Sequence, residues 1–127
     1  MKRGVSVAII DSQGKTLVLK RSPDIGFGPN LWDLPGGRTE SKEELRAIGK
    51  REAREEVGLE VELEDDYFSF YHHPVKHFDA YAFRAKSYSG KIDLSKEHVS
   101  FRWVSKNNWK ELSYTPHVEA ALNELFK

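Results

Sequence analysis

The stretch Gly37-Arg-Thr-Glu-Ser-Lys-Glu43-Glu-Leu-Arg-Ala-Ile-Gly-Lys-Arg51-Glu52-Ala-Arg-Glu55-Glu56-Val-Gly58-Leu59 decides how this chain is read. Ser41 and Glu44 form a Ser-x-x-Glu capping box, so a helix is predicted from about Lys42 to about Val57, with Gly58 as its left-handed terminator. At about 100° per residue, Glu55 and Glu56 fall about 60° to one side and about 40° to the other of Glu52, which gathers three carboxylates into one arc. Leu45 and Ile48 lie on nearly the same side, so the acids are expected to look into a cleft at the edge of the core. Acidic pairs three and four apart destabilise a helix by roughly 0.2–0.5 kcal/mol each, and more where water is excluded. A hard cation such as Mg²⁺ or Mn²⁺, which prefers oxygen ligands, would offset that repulsion. The same residues also suit a solvated face on which Arg51 and Glu55 form an i,i+4 ion pair.

Outward from the helix, Val5 to Ile10 and Thr16 to Lys20 read as β-branched strands joined in a hairpin by Asp11-Ser12-Gln13-Gly14-Lys15. Ser22 to Asn30 is a loop that leads to Leu31-Trp32-Asp33-Leu34 and a sharp turn at Pro35-Gly36-Gly37. Gly49 weakens the helix by roughly 1 kcal/mol relative to alanine, which suggests close packing against another backbone. Leu59 to Leu63, Tyr67 to Tyr71, His77 to Lys86 and Val99 to Val104 are expected strands. Pro116 to Phe126 is an expected amphipathic helix with Val118, Ala121, Leu122 and Leu125 on its inner face. This order matches neither a regular βαβ repeat nor an all-β sandwich and calls for a mixed sheet flanked by helices.

The complete pattern from Gly37 to Leu59 resembles the Nudix box, the signature of MutT-like hydrolases that act on nucleoside diphosphates linked to another moiety. Gly37, Glu43, Arg51, Glu52, Glu55, Glu56 and Gly58 fill every fixed position, and Leu59 meets the apolar requirement at the end. Ala53 is smaller than the aliphatic usual there. Seven fixed residues at a background of roughly 7% each make a chance match about one in a million. The resemblance implies a Nudix-type α/β/α sandwich with a central mixed β-sheet, an α/β (α+β) fold forming a single domain over residues 1–127.

It also implies a chemistry. Hydrolysis of a pyrophosphate brings water to a phosphorus already crowded with anionic oxygens, so charge must be neutralised and the water oriented. By resemblance, Glu52, Glu55 and Glu56 look like Mg²⁺ ligands (Mn²⁺ being the other option), together with the carbonyl of Gly36. Glu52 is also a candidate base. Arg51 and Glu43 take supporting roles. Glu97, six residues before Trp103, matches the late-loop acid that in such enzymes adds a further ligand or base, and Asp93 competes with it by position. Lys20, Arg21 and Arg38 are expected to hold substrate phosphates. Phe27, Trp32, Tyr71, Tyr81 and Phe83 are aromatics that could stack on a base or simply fill the core.

Composition narrows the field. The 127 residues hold 20 basic and 20 acidic side chains, so no bulk charge recruits nucleic acid or an anionic membrane. Without cysteine there are no disulfides, thiolate metal sites or cysteine nucleophiles, which suits a cytoplasmic enzyme. Val5 to Ile10 is too short an apolar run for a signal peptide, and no other segment reaches membrane-spanning length. Gly14-Lys15-Thr16 fails as a phosphate loop because Ile9 stands where glycine is needed. His73 and His77 have a zinc-pair spacing but sit around Pro74 in strand-like sequence, and no serine elbow is present. The expected partner is a small-molecule nucleotide, leaning toward a nucleoside triphosphate, with ADP-ribose or a nucleotide sugar as the alternative. A non-catalytic nucleotide sensor is the reading from another class. The oligomeric expectation is monomer or homodimer.

Overall fold

A computed structural model describes residues 2–40 and 42–127. The strands are β1 (Arg3–Ala8), β2 (Thr16–Arg21), β3 (Trp32–Asp33), β4 (Gly36–Thr39), β5 (Leu59–Leu63), β6 (Ser69–His72), β7 (Asp79–Gly90) and β8 (His98–Val104). Helix α1 (Leu45–Val57) follows β4, and α2 (Pro116–Leu125) closes the fold after a short 3₁₀ turn at Trp109–Glu111.

Two sheets form the middle layer. One runs in the order β4-β1-β7-β5 with β6 also paired to β7, and the other in the order β3-β2-β8. The β1–β7 pair is parallel and the other pairs are antiparallel, so the arrangement is mixed as the sequence required. Strand alternation explains how both faces are covered. On β2, Leu17 and Leu19 join Val5, Val7, Ile48, Ala53 and Val57 in the cluster beneath α1. Val18 turns the other way and meets Val118, Ala121 and Leu122 of α2. The inner face assigned to α2 is thus the buried one, with Leu125 partly buried at its margin.

The predicted hairpin is real only at its turn. Asp11 N–H donates to Lys15 O and Leu17 N–H to Ile9 O, but beyond that point β1 takes β4 and β7 as partners while β2 takes β3 and β8. Each strand has both edges occupied, so the two part into different sheets. The short strands β3 and β4 were not foreseen, because two glycines and a proline gave them turn character.

Helix α1 starts later than expected. Its N-cap is Glu44, whose carboxylate accepts from Arg46 N at 3.1 Å and Ala47 N at 3.3 Å, so the cap is supplied by the second member of the expected box. Ser41 lies outside the described residues. Gly58 ends the helix at φ 73°, where a side chain would be strained. Gly49 does sit in a crowded place, but against side chains: an added Cβ would meet Leu63 Cδ1 at 3.0 Å and Val5 and Val7 at 3.2 Å.

Candidate active site

Helix α1 crosses the sheet so that its C-terminal half faces β4 and the Gly36-Gly37 pair. Glu56 follows from the helical phase of Ile48 and is buried, with 7% of its surface exposed. The N–H of Gly36 donates to its Oε1 at 2.6 Å. Burial outweighs that hydrogen bond, and with Asp33, Glu52 and Glu97 nearby the carboxyl is pushed up to about 9. Glu52, one turn earlier, is shifted upward by burial first and then by Glu55, partly opposed by Arg51.

Arg51 is held between acids, with Nη2 3.2 Å from Glu43 and Nη1 3.9 Å from Glu52. It does not make the Arg51–Glu55 pair of a solvated face. Glu55 itself is exposed and lies off the pocket, because a further 100° of helix separates it from the inward-facing Glu56. The arc of three acids therefore splits into Glu56 inside, Glu52 at the edge and Glu55 outside.

The pocket beside these acids is lined by Gly36, Gly37, Arg38, Glu56 and Glu97, with Arg21, Phe27, Asp33, Leu34 and His117 around the remainder. Glu97 is exposed and its backbone O accepts from Ser22 N at 2.8 Å, which ties the loop before β8 to the end of β2. Arg21 and Arg38 reach the pocket; Lys20, paired across β2 with Trp32 and Ser100, does not line it. Asp93 lies against Gly58 at the C-terminal cap of α1 and does not line the pocket, so of the two late-loop acids Glu97 is the one beside it.

Two pocket groups, Asp33 and His117, and the buried partner of the first, His98, escaped the sequence reading. Asp33 is buried, its Oδ2 2.7 Å from Arg21 Nη1 and its Oδ1 2.9 Å from His98 Nε2. His98 has no side-chain exposure and its Nδ1 has no partner among the described residues. His117, at the start of α2, lines the pocket; burial lowers its imidazole to about 4, so it is neutral. These contacts span up to 65 positions, and only the proximity of Asp33 to the double glycine and of His98 to Glu97 hinted at them.

Is this donor set suited to a divalent ion? No three His, Asp or Glu side chains among the described residues close on one point. A Mg²⁺ ion keeps several waters and takes one or two carboxylates, so it needs no closed cage. The glycines leave the required approach open. A Cβ on Gly37 would stand 2.6 Å from the Glu52 carboxyl carbon, and one on Gly36 only 2.1 Å from Val5 O. Oxygen donors whose burial and mutual repulsion disfavour the charged form fit a hard cation that offsets that charge.

Comparison with known proteins agrees with this geometry. A family model described as the NUDIX domain matches residues 1–122. An uncharacterised Nudix hydrolase of Listeria innocua is 32% identical over 97% of this chain and 76% of its own length. The 8-oxo-dGTP diphosphatase of Buchnera aphidicola subsp. Schizaphis graminum is 30% identical over 77% of this chain and 74% of its own. Among solved structures, the MutT protein of Methanosarcina mazei Go1 superposes with a TM-score of 0.83 at 26% identity, covering 97% of this chain and 90% of that one. With its mixed sheets between two helices and acids buried behind a double glycine, the chain belongs to the Nudix hydrolases, enzymes that act on pyrophosphate bonds.

Proposed function

We propose that the protein is a Mg²⁺-dependent pyrophosphohydrolase acting on nucleoside triphosphates. The observation that carries this is the buried Glu56, hydrogen-bonded to Gly36 and shifted far above the ordinary carboxylate range beside a second raised acid, Glu52. Strongly perturbed acids in a cleft mark a site built to handle charge. Glu52 and Glu56, with the carbonyl of Gly36, would hold Mg²⁺; Glu97 in the pocket lining would add to the set, and Glu55 would join it from the outer side of the helix. Bound there, the ion supplies neutralisation of phosphate charge and acidification of water.

The chain's own residues do the rest. Glu52 stands beside Gly37 at the edge of the pocket with its carboxyl shifted upward by burial, which suits a general base for the attacking water. Glu97 borders the same pocket and is the competing base. The line Glu43–Arg51–Glu52 fixes the Glu52 head group from the solvent side. Arg21, locked by Asp33, and Arg38 present cations to the phosphates.

The triphosphate reading draws support from relatives named as 8-oxo-dGTP diphosphatases. It is tested with a panel of nucleoside triphosphates, ADP-ribose and nucleotide sugars in Mg²⁺, with products identified by ³¹P NMR. Pyrophosphate release from a triphosphate is expected, and Glu52→Gln or Glu56→Gln is expected to cut kcat by about a hundredfold or more. Turnover of no compound, or turnover unaffected by either substitution, would overturn the proposal.

A further inference from the structure

Phe27 projects from the loop after β2 and carries three cations on one ring. Lys76 Nζ lies 4.2 Å, Arg38 Cζ 4.9 Å and Arg21 Cζ 5.7 Å from its centroid, and Arg38 is also 5.0 Å from the Phe78 ring. Arg21 is neutralised by Asp33 at 2.7 Å. Neither Arg38 nor Lys76 has an ion-pair partner among the described residues. An aromatic quadrupole attracts such cations but removes none of their net charge. Arg38, in the pocket lining, and the exposed Lys76 beside it thus share the Phe27 ring, itself part of that lining, without a counter-ion.

The backbone at Lys76 is also held in place. It belongs to the turn between β6 and β7, where the buried His73 accepts on Nδ1 from Val75 N at 3.3 Å and Lys76 N at 3.1 Å. The His73 ring stacks on Phe78 at 5.2 Å and meets Phe27 edge-on at 6.5 Å. Burial, then Lys76 and Arg38, keep this imidazole below its ordinary range, so it remains the neutral acceptor the turn needs. The other titratable groups around the turn are His72, whose Nδ1 is 2.7 Å from Asp79 Oδ1, and His77.

We propose that Arg38 and Lys76, gathered on Phe27, form a subsite for the terminal phosphate of a nucleoside polyphosphate. The inference rests on the nucleoside-triphosphate reading above and adds to it Lys76 as a residue that selects for the terminal phosphate. A terminal phosphoryl group carries about two negative charges at neutral pH, as phosphate monoesters do, whereas each phosphate of a diphosphate diester such as ADP-ribose carries one. Two unpaired cations favour the former. Phe27 is accordingly an anchor for cations, and its ring is not free to stack on a base.

The experiment uses the full chain in Mg²⁺ and compares binding of a nucleoside triphosphate with methylene groups in place of both anhydride oxygens against binding of ADP-ribose. Lys76→Gln is expected to weaken the triphosphate analogue about tenfold and ADP-ribose less than about twofold, with Lys76→Arg close to wild type. Arg38→Gln should behave as Lys76→Gln does. Equal weakening of both ligands, or no weakening, would overturn the subsite. If the split appears in a protein that hydrolyses nothing, the subsite stands and the hydrolytic reading fails; turnover without the split fails the subsite alone.

Discussion

Replacing Glu56 by glutamine is expected to stabilise the metal-free protein while abolishing its chemistry. The glutamine Oε1 keeps the 2.6 Å hydrogen bond from Gly36 but carries no ionisable proton. In the wild type the folded carboxyl titrates at about 9 and the unfolded one at 4.5. Because the folded value is the higher, the stability linked to this proton is full below pH 4.5 and drains away as pH rises toward 9. At about 1.4 kcal/mol per pH unit, the loss at pH 7 is about 3 kcal/mol, a large part of the 5–15 kcal/mol typical of a domain. Urea unfolding in EDTA at intervals from pH 4.5 to 8.5 measures it. Glu56→Gln should match the wild type at the acid end and exceed it increasingly above, and added Mg²⁺ should narrow the gap by binding only the wild type well. A gap that stays flat with pH, or a glutamine variant that is the less stable at pH 8, would refute the reasoning.

The two pocket glycines should separate stability from activity. A Cβ on Gly37 meets the movable end of Glu52 at 2.6–2.8 Å, so Gly37→Ala should fold normally and lose turnover, whereas Gly36→Ala meets Val5 O at 2.1 Å and should lower Tm by breaking the β1–β4 pairing; thermal melts and initial rates distinguish them. His117 moves stability in the acid direction: its folded value of about 4 lies below the ordinary 6.5, so its contribution is present above pH 6.5 and is lost as pH falls toward 4, about 3 kcal/mol in all. Melting of wild type against His117→Gln at pH 7.5 and 4.5 should show the variant losing less on acidification.

Periodicity alone revealed most of the strands and both helices, because both faces of the sheet layer are buried and apolar spacing records that burial. It could not reveal which strand pairs with which. The turn at Asp11–Lys15 gave the correct local geometry, and the parting of β1 from β2 is decided by competition from β4, β7, β3 and β8 for their edges. The same limit governs the site. Glu52 and Glu56 were legible because one helix sets their phase relative to Ile48. Glu55 shared that arc on paper, yet the 100° step that buries Glu56 turns it outward. Asp33, His98, His117 and Lys76 come from four separate segments, and a single sequence holds no trace of their meeting.

Two clusters of like charge line or flank one pocket, the acidic one only partly offset by Arg51 and the basic one without an ion-pair partner among the described residues. Burial and mutual repulsion disfavour the charged forms of Glu56 and Glu52, while Arg38 and Lys76 rest on an aromatic ring. Had stability alone shaped this region, exchanging a few of these side chains would have paired the charges directly, as Arg54 and Glu60 are paired on the surface at 2.6 Å. Keeping them apart costs folding free energy and leaves the pocket complementary to a ligand that carries a metal ion at one end and a phosphate anion at the other. A magnesium polyphosphate has that charge order. The electrostatic frustration of the pocket and its selectivity are then one property, and Glu56→Gln and Lys76→Gln probe its two ends separately.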